Sequence, residues 1–270
     1  MEILIHLSEA RSRLKAVVFD FDGTISTLRH GWEGIMEPLM LEMIAGGTPV
    51  DEELVKEVRE FIDQSVGIQT IHQMIWLAEA VKRHGRNPGA PEDPWWYKAE
   101  YNRRLMEPVE SRLASIKSGE KTVKEYLIKE SEKLLDALTA NGIDIYIASG
   151  TDQPDVVREA EALGLAKYFK EIAGAPPGKI DCSKEAILRK LVLENKLEGL
   201  EVAVIGDGKV EIALGREVGA ITLGVASDEE KLCGMNEAKR KRLVKAGAHG
   251  ISGDFENLEE ILAWLLPGRS

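Results

Sequence analysis

A chain of 270 residues with 44% hydrophobic content is long enough for one large core, or for a core with an inserted domain. Its formal net charge is −11, from 46 acidic against 35 basic residues, which argues against nucleic acid or an anionic membrane as a partner. No stretch approaches the ~20 apolar residues that cross a bilayer.

The N-terminal apolar run is too short for a signal peptide, and Glu2 and His6 interrupt it. The two cysteines, Cys182 and Cys233, have no metal or redox spacing. Reduced thiols and a cytoplasmic location are therefore expected. His6, His72, His84 and His249 likewise form no metal spacing.

Residues 14–19 (LKAVVF) read as a buried strand of a parallel sheet. The strand runs into Asp20-Phe21-Asp22-Gly23-Thr24, where Gly23 allows a sharp turn. Side chains two apart on an extended chain point the same way, so Asp20 and Asp22 can face one site while Phe19 and Phe21 face away. An Asp-Gly turn alone is commonplace; the whole string after an apolar strand carries more weight.

From about residue 27 to 122 the pattern is helical. Residues 32–44 are apolar and Met-rich. Asp51 caps a helix with Leu54, Val55, Val58, Phe61 and Ile62 at helical spacing. Ile71, Met74, Ile75, Ala78 and Val81 form the next stripe, closed by Gly85. Residues 95–116 read as a helix broken at Pro108. Trp95-Trp96-Tyr97 within it suits the helical core or an oligomer contact.

Beyond residue 123, strands alternate with helices. A helix is expected over residues 126–141, strands over 143–148, 169–173, 202–205 and 220–225, and a short strand near Ile251. Helices fill the gaps, one of them capped by Ser183 and carrying Ile187, Leu188, Leu191 and Val192, and a helix ends the chain. This alternation implies right-handed crossovers and a doubly wound, Rossmann-like α/β sheet. The helical block is then an all-helical cap (27–122) inserted in a core made of 1–26 and 123–270.

The polar motifs lie at or just past C-terminal strand ends, where open α/β sheets build their sites. Asp20 and Asp22 follow the first strand and Ser149-Gly150-Thr151 the second. Lys179 and Lys184 come after the third, and Asp207 with Glu211 after the fourth. Asp207 and Glu211 share a helix face if a helix starts at Gly208.

This ordered set resembles the haloacid dehalogenase-like superfamily over the full chain. Asp20-Phe21-Asp22-Gly23-Thr24 matches its first motif, Ser149 its second, a lysine its third, and Asp207 with Glu211 its fourth. The resemblance implies a Mg²⁺-dependent phosphatase acting on a small-metabolite phosphate monoester, such as a sugar phosphate. Asp20 would be the nucleophile that forms an aspartyl-phosphate, and Asp22 the general acid and base. It implies Mg²⁺ held by Asp20, the Asp22 backbone carbonyl and Asp207, with Glu211 orienting bound water. Ser149, the Gly150 amide and the lysine would bind phosphoryl oxygens, with Thr24 beside them. Lys184 is preferred as that lysine because it opens a helix; Lys179, after Pro176-Pro177-Gly178, is the alternative.

Asp22 argues for phosphate chemistry, since dehalogenase members lack that acid. It does not separate a phosphatase from a phosphomutase of the β-phosphoglucomutase type. A non-catalytic phosphate-binding regulatory module is the alternative from another class, and the intact Asp20, Asp22, Asp207 set counts against it. In the helical block, the turn at residues 65–70 offers Gln69 as a substrate-binding candidate. His30 and Trp32 stand where a hinge or flap would be. The basic run Lys239-Arg240-Lys241-Arg242 reads as a solvated helix face.

Overall fold

The computed structural model describes residues 1–7, 14–180, 184–194 and 196–268. Ser183 and Cys182 lie outside the described residues. The chain divides into two compact units, one of residues 1–30 with 113–270 and one of residues 31–112.

The first unit holds a seven-stranded sheet. Its strands are β1 (Glu2–Ile3), β2 (Ala16–Phe19), β3 (Asp144–Asp152), β4 (Glu171–Ala175), β5 (Val202–Gly206), β6 (Ile221–Val225) and β7 (Gly250–Ser252). The spatial order is β1-β7-β6-β5-β2-β3-β4. Every adjacent pair is parallel except β1 with β7. β2 is central: Val18 lies across from Tyr146 of β3 and Val204 of β5. Both flanks of β2 reverse direction in sequence, which makes its C-terminal end the switch point where such sheets place ligands.

The helices of this unit are α5 (Ser131–Ala140), α6 (Gln153–Ala162), α7 (Lys184–Glu194), α8 (Lys209–Glu217), α9 (Glu237–Lys245) and α10 (Leu258–Leu265). They cover both sheet faces, which is why the strands are apolar without alternation. On one face Val17, Phe19, Ile147 and Ile205 pack with Leu134, Leu138, Val156 and Trp264. On the other, Ala16, Val18, Tyr146 and Val204 pack with Leu188 of α7.

The second unit is helical: α1 (Glu33–Ala45), α2 (Glu52–Gln64), α3 (Thr70–His84) and α4 (Pro94–Ser118), whose last turns lie in the first unit. Asp51 caps α2 by accepting the Leu54 amide at 2.9 Å. Gly85 ends α3 in the left-handed region, at φ 63°. Phe61 and Trp76 stack with ring centroids 3.9 Å apart. Tyr97 is buried, with its hydroxyl donating to the Pro91 carbonyl at 2.7 Å, while Trp96 is exposed.

Several elements differ from the sequence expectation, among them β1, which has no counterpart in it, and β4, which is shifted two residues toward the C-terminus of the expected strand. α4 runs through Pro108 without a break. The helix expected over 126–141 starts only at Ser131, because residues 126–128 bond elsewhere: Ile128 N donates to Ile25 O at 2.9 Å, and Tyr126 O accepts from Thr27 N at 2.9 Å. β3 continues through Ser149-Gly150-Thr151, with a register shift against β4 between Ala148 and Asp152. Among the described residues, no helix is long and apolar enough to cross a membrane.

Candidate active site

The chain leaves β2 in a tight loop. Asp20 N still donates to Ile205 O of β5 at 2.9 Å, and then Gly23 N turns back to Ser26 O at 2.8 Å. Gly23 has φ +75°, and a Cβ there would stand 2.5 Å from Asp207 Oδ2. Both backbone shape and space therefore call for glycine. Phe21 is fully buried in the core, which anchors the loop between the two aspartates.

Asp20 is buried at this strand end, with Lys184 Nζ 2.9 Å from its Oδ1. The same ammonium lies 3.4 Å from Glu211 Oε2. Lys184 is the first residue of α7, so its stem reaches over the strand ends. Lys179 is exposed. Glu211 sits in the first turn of α8, and its Oε1 accepts the Gly208 amide at 2.6 Å, which closes the helix start and fixes the side chain. The Thr24 hydroxyl, fully buried, donates to Asp207 Oδ1 at 3.4 Å.

Oxygens of Asp20, Asp207 and Glu211 all lie within 4.8 Å of one another, and all three residues are buried. Burial pushes the Asp20 carboxyl well above the ordinary carboxylate range, with Lys184 pulling against it. Burial also raises Asp207, opposed by Lys239. Massed, desolvated carboxylates are costly unless a cation joins them. Hard oxygen donors gathered in this way fit a divalent metal cation.

Asp22 is held from the second motif. The Thr151 hydroxyl donates to its Oδ2 at 2.8 Å, and Thr151 N donates to Ser149 Oγ at 3.1 Å. Asp22 Oδ1 is buried and makes no hydrogen bond among the described residues. Burial raises the Asp22 carboxyl, against the pull of Arg29 and the Thr151 hydrogen bond. Ser149 is buried in β3, and Gly150 beside it is partly exposed. Gln69 belongs to the other unit, buried at the start of α3, where Gln73 donates to Ser65 at 3.0 Å.

Several side chains near these residues have roles that the sequence motifs do not announce. In the sequence Thr151 stands only as the last residue of a strand-end motif. Arg29 makes a buried pair with Glu159 of α6 at 2.7 Å, and burial pushes the Glu159 carboxyl up to about 7. Its signal was present: Val156, Glu159 and Ala160 share the inward face of α6 at helical spacing. Lys239 corrects the expectation of a solvated basic run. It is buried with Leu243 on the inward face of α9, one turn apart, while Lys241 is exposed. Its Nζ lies 2.7 Å from Asp207 Oδ2, 2.7 Å from Glu229 Oε1 and 3.0 Å from Ser227 Oγ. Glu229 in turn lies 3.6 Å from His30 Nδ1.

Residues 14–219 match the family model of haloacid dehalogenase-like hydrolases. No curated protein matches the chain significantly. Among solved structures, a predicted phosphoglycolate phosphatase from Haemophilus somnus is similar at 17% identity and a TM-score of 0.60, covering 92% of this chain and 98% of that one. A β-phosphoglucomutase from Clostridium difficile is similar at 17% identity and a TM-score of 0.63, covering 93% and 97%. A haloacid dehalogenase-like family hydrolase from Streptococcus pneumoniae is similar at 18% identity and a TM-score of 0.58, covering 94% and 99%. At such identities the likeness is one of fold.

Proposed function

Because the chain belongs to the haloacid dehalogenase-like hydrolase family, we propose that it hydrolyses the phosphate monoester of a small metabolite, with Asp20 as nucleophile. The observation that carries this reading is the buried cluster of Asp20, Asp207 and Glu211, with the Lys184 ammonium 2.9 Å from Asp20.

In the first step Asp20 attacks phosphorus and the ester P–O bond breaks. The leaving oxygen takes a proton from Asp22, whose raised pKa favours the protonated form needed for that donation. In the second step Asp22, now charged, takes a proton from water. The water oxygen attacks the aspartyl-phosphate, which releases Asp20 and inorganic phosphate. Dividing one displacement into two easier ones is the benefit of the covalent route.

Lys184 meets two acceptors among the described residues, Asp20 and Glu211, and an ammonium has three hydrogens. Its third is assigned to a phosphoryl oxygen, alongside Ser149 and the Gly150 amide. Asp20, Asp207 and the Asp22 carbonyl would hold Mg²⁺, with Glu211 beside them. When bound, the ion offsets the negative charge of carboxylate meeting phosphate. The helical segment, as a cap, and its Gln69 enter the same reading as the part that selects the substrate.

The test is hydrolysis of p-nitrophenyl phosphate with and without Mg²⁺, by wild type and Asp20→Asn. Metal-dependent phosphate release that disappears in the variant is the expected result. Release that persists in Asp20→Asn would overturn the mechanism. The likeness in fold to a β-phosphoglucomutase raises the mutase reading. A mutase would convert a sugar phosphate to its isomer with little free phosphate.

A further inference from the structure

Lys239 is a buried cation in direct contact with Asp207, and the proposed reaction leaves it without a task. Its surroundings define it closely. Asp207 Oδ2, Glu229 Oε1 and Ser227 Oγ stand 2.7, 2.7 and 3.0 Å from Nζ. An ammonium has three hydrogens, and here three acceptors meet it. No donor remains for a substrate anion, in contrast to Lys184. The acceptors come from three places: the end of β5, and two positions in the loop after β6. Ser227 Oγ also donates to the carbonyl of Gly23, so the arrangement is tied to the nucleophile loop. Each partner is at least largely buried, with side-chain exposures of 10%, 12% and 15% for Lys239, Asp207 and Glu229.

We propose that Lys239 is a positioning residue, a built-in counter-ion that holds one oxygen of Asp207 and, balanced by Glu229, sets how tightly the carboxylate cluster takes a divalent cation. The proposal rests on the reading of Asp207 as a metal-site residue. The charge balance supplies the direction. The ammonium compensates Asp207 in the metal-free protein and repels an incoming cation, while Glu229 offsets part of that repulsion. Removing each charge therefore shifts cation affinity in opposite senses, which a merely structural pair would not do.

The experiment uses the full chain and Mn²⁺ as probe, with free Mn²⁺ read by electron paramagnetic resonance, and thermal unfolding without metal. Lys239→Met is expected to bind Mn²⁺ about tenfold more tightly than wild type, and Glu229→Gln about tenfold more weakly. Metal-free Lys239→Met is expected to unfold at a lower temperature, because Asp207 and Glu229 then face each other uncompensated. The double variant Lys239→Met with Glu229→Gln recovers part of that loss. Should Lys239→Met fail to fold, Glu229→Gln and the double variant carry the test. Affinities that are unchanged, or that shift in the same sense in both single variants, overturn the proposal. Wild type that takes up no Mn²⁺ overturns the metal reading itself, an outcome separate from a wild type that binds while its variants do not diverge.

Discussion

Lys184 Nζ stands 2.9 Å from Asp20 Oδ1, with about 6% and 7% of the two side chains exposed. The pair joins the first residue of α7 to the end of the central strand, and Asp207 and Glu211 complete its surroundings. Breaking such a buried pair from one side leaves a charge without its partner, at a cost of about 3–5 kcal/mol. Lys184→Met should therefore lower the unfolding temperature clearly. It should also cut kcat/KM for p-nitrophenyl phosphate by ~10²–10³, the usual loss for removing one transition-state donor. Steady-state kinetics and calorimetry on one preparation check both. Unchanged turnover would remove Lys184 from the reaction.

Thr151 offers a gentler probe. Its hydroxyl donates to Asp22 Oδ2 at 2.8 Å. Thr151→Val keeps the side-chain shape and removes only that bond. A hydrogen bond to a charged group contributes about 1.5–3 kcal/mol, so kcat should fall roughly ten- to hundredfold. KM should change little, since Asp22 acts in the proton transfers rather than in holding the ester. A rise in KM with unchanged kcat would place Thr151 in substrate binding instead.

Much of this arrangement was legible in the sequence, for physical reasons. The central strands are buried on both faces, so they read as unbroken apolar runs, and a polar motif at the end of such a run stands out. A lysine that opens a helix is placed to reach over strand ends, and Lys184 lies against Asp20 in this way. What was not legible depended on contacts between remote segments. The Arg29–Glu159 pair follows no spacing rule, although Glu159 shares the inward face of α6. Lys239 was hidden inside a basic run, where charge counted for more than its spacing to Leu243. β1 is two residues long and pairs antiparallel at the sheet edge, too short to show alternation.

Gly23 is constrained twice. Its φ of +75° is costly for any side chain, and a Cβ would meet Asp207 Oδ2 at 2.5 Å. The clash would push Asp207 away from Thr24 and Lys239, which both hold it. Gly23→Ala should therefore destabilise the protein by about 1–3 kcal/mol, from the strained backbone conformation alone. It should also weaken Mn²⁺ binding and lower turnover. Thermal unfolding with and without Mn²⁺ separates the two effects: a smaller metal-induced stabilisation than in wild type is expected. A variant with wild-type Mn²⁺ affinity would show that Asp207 does not need this close approach.

His249 gives a pH dependence remote from the carboxylate cluster. It is buried between β6 and α8, with its Nδ1 2.9 Å from the Thr222 hydroxyl and the Arg216 guanidinium against Nε2. Burial, with the Arg216 charge beside it, lowers its pKa from 6.5 to about 4. Between those values the unfolded chain binds a proton on this histidine and the folded protein does not. Folding stability from this group is therefore complete above pH 6.5 and is lost as pH falls toward 4. The slope is at most one proton, or about 1.4 kcal/mol per pH unit across that window. Denaturant unfolding at a series of pH values should show wild type losing more stability than His249→Gln between pH 6.5 and 4. Glutamine keeps a polar group facing Thr222 but carries no titrating proton. Parallel stability curves for the two proteins would show that His249 is already protonated in the fold, with Arg216 displaced from its ring.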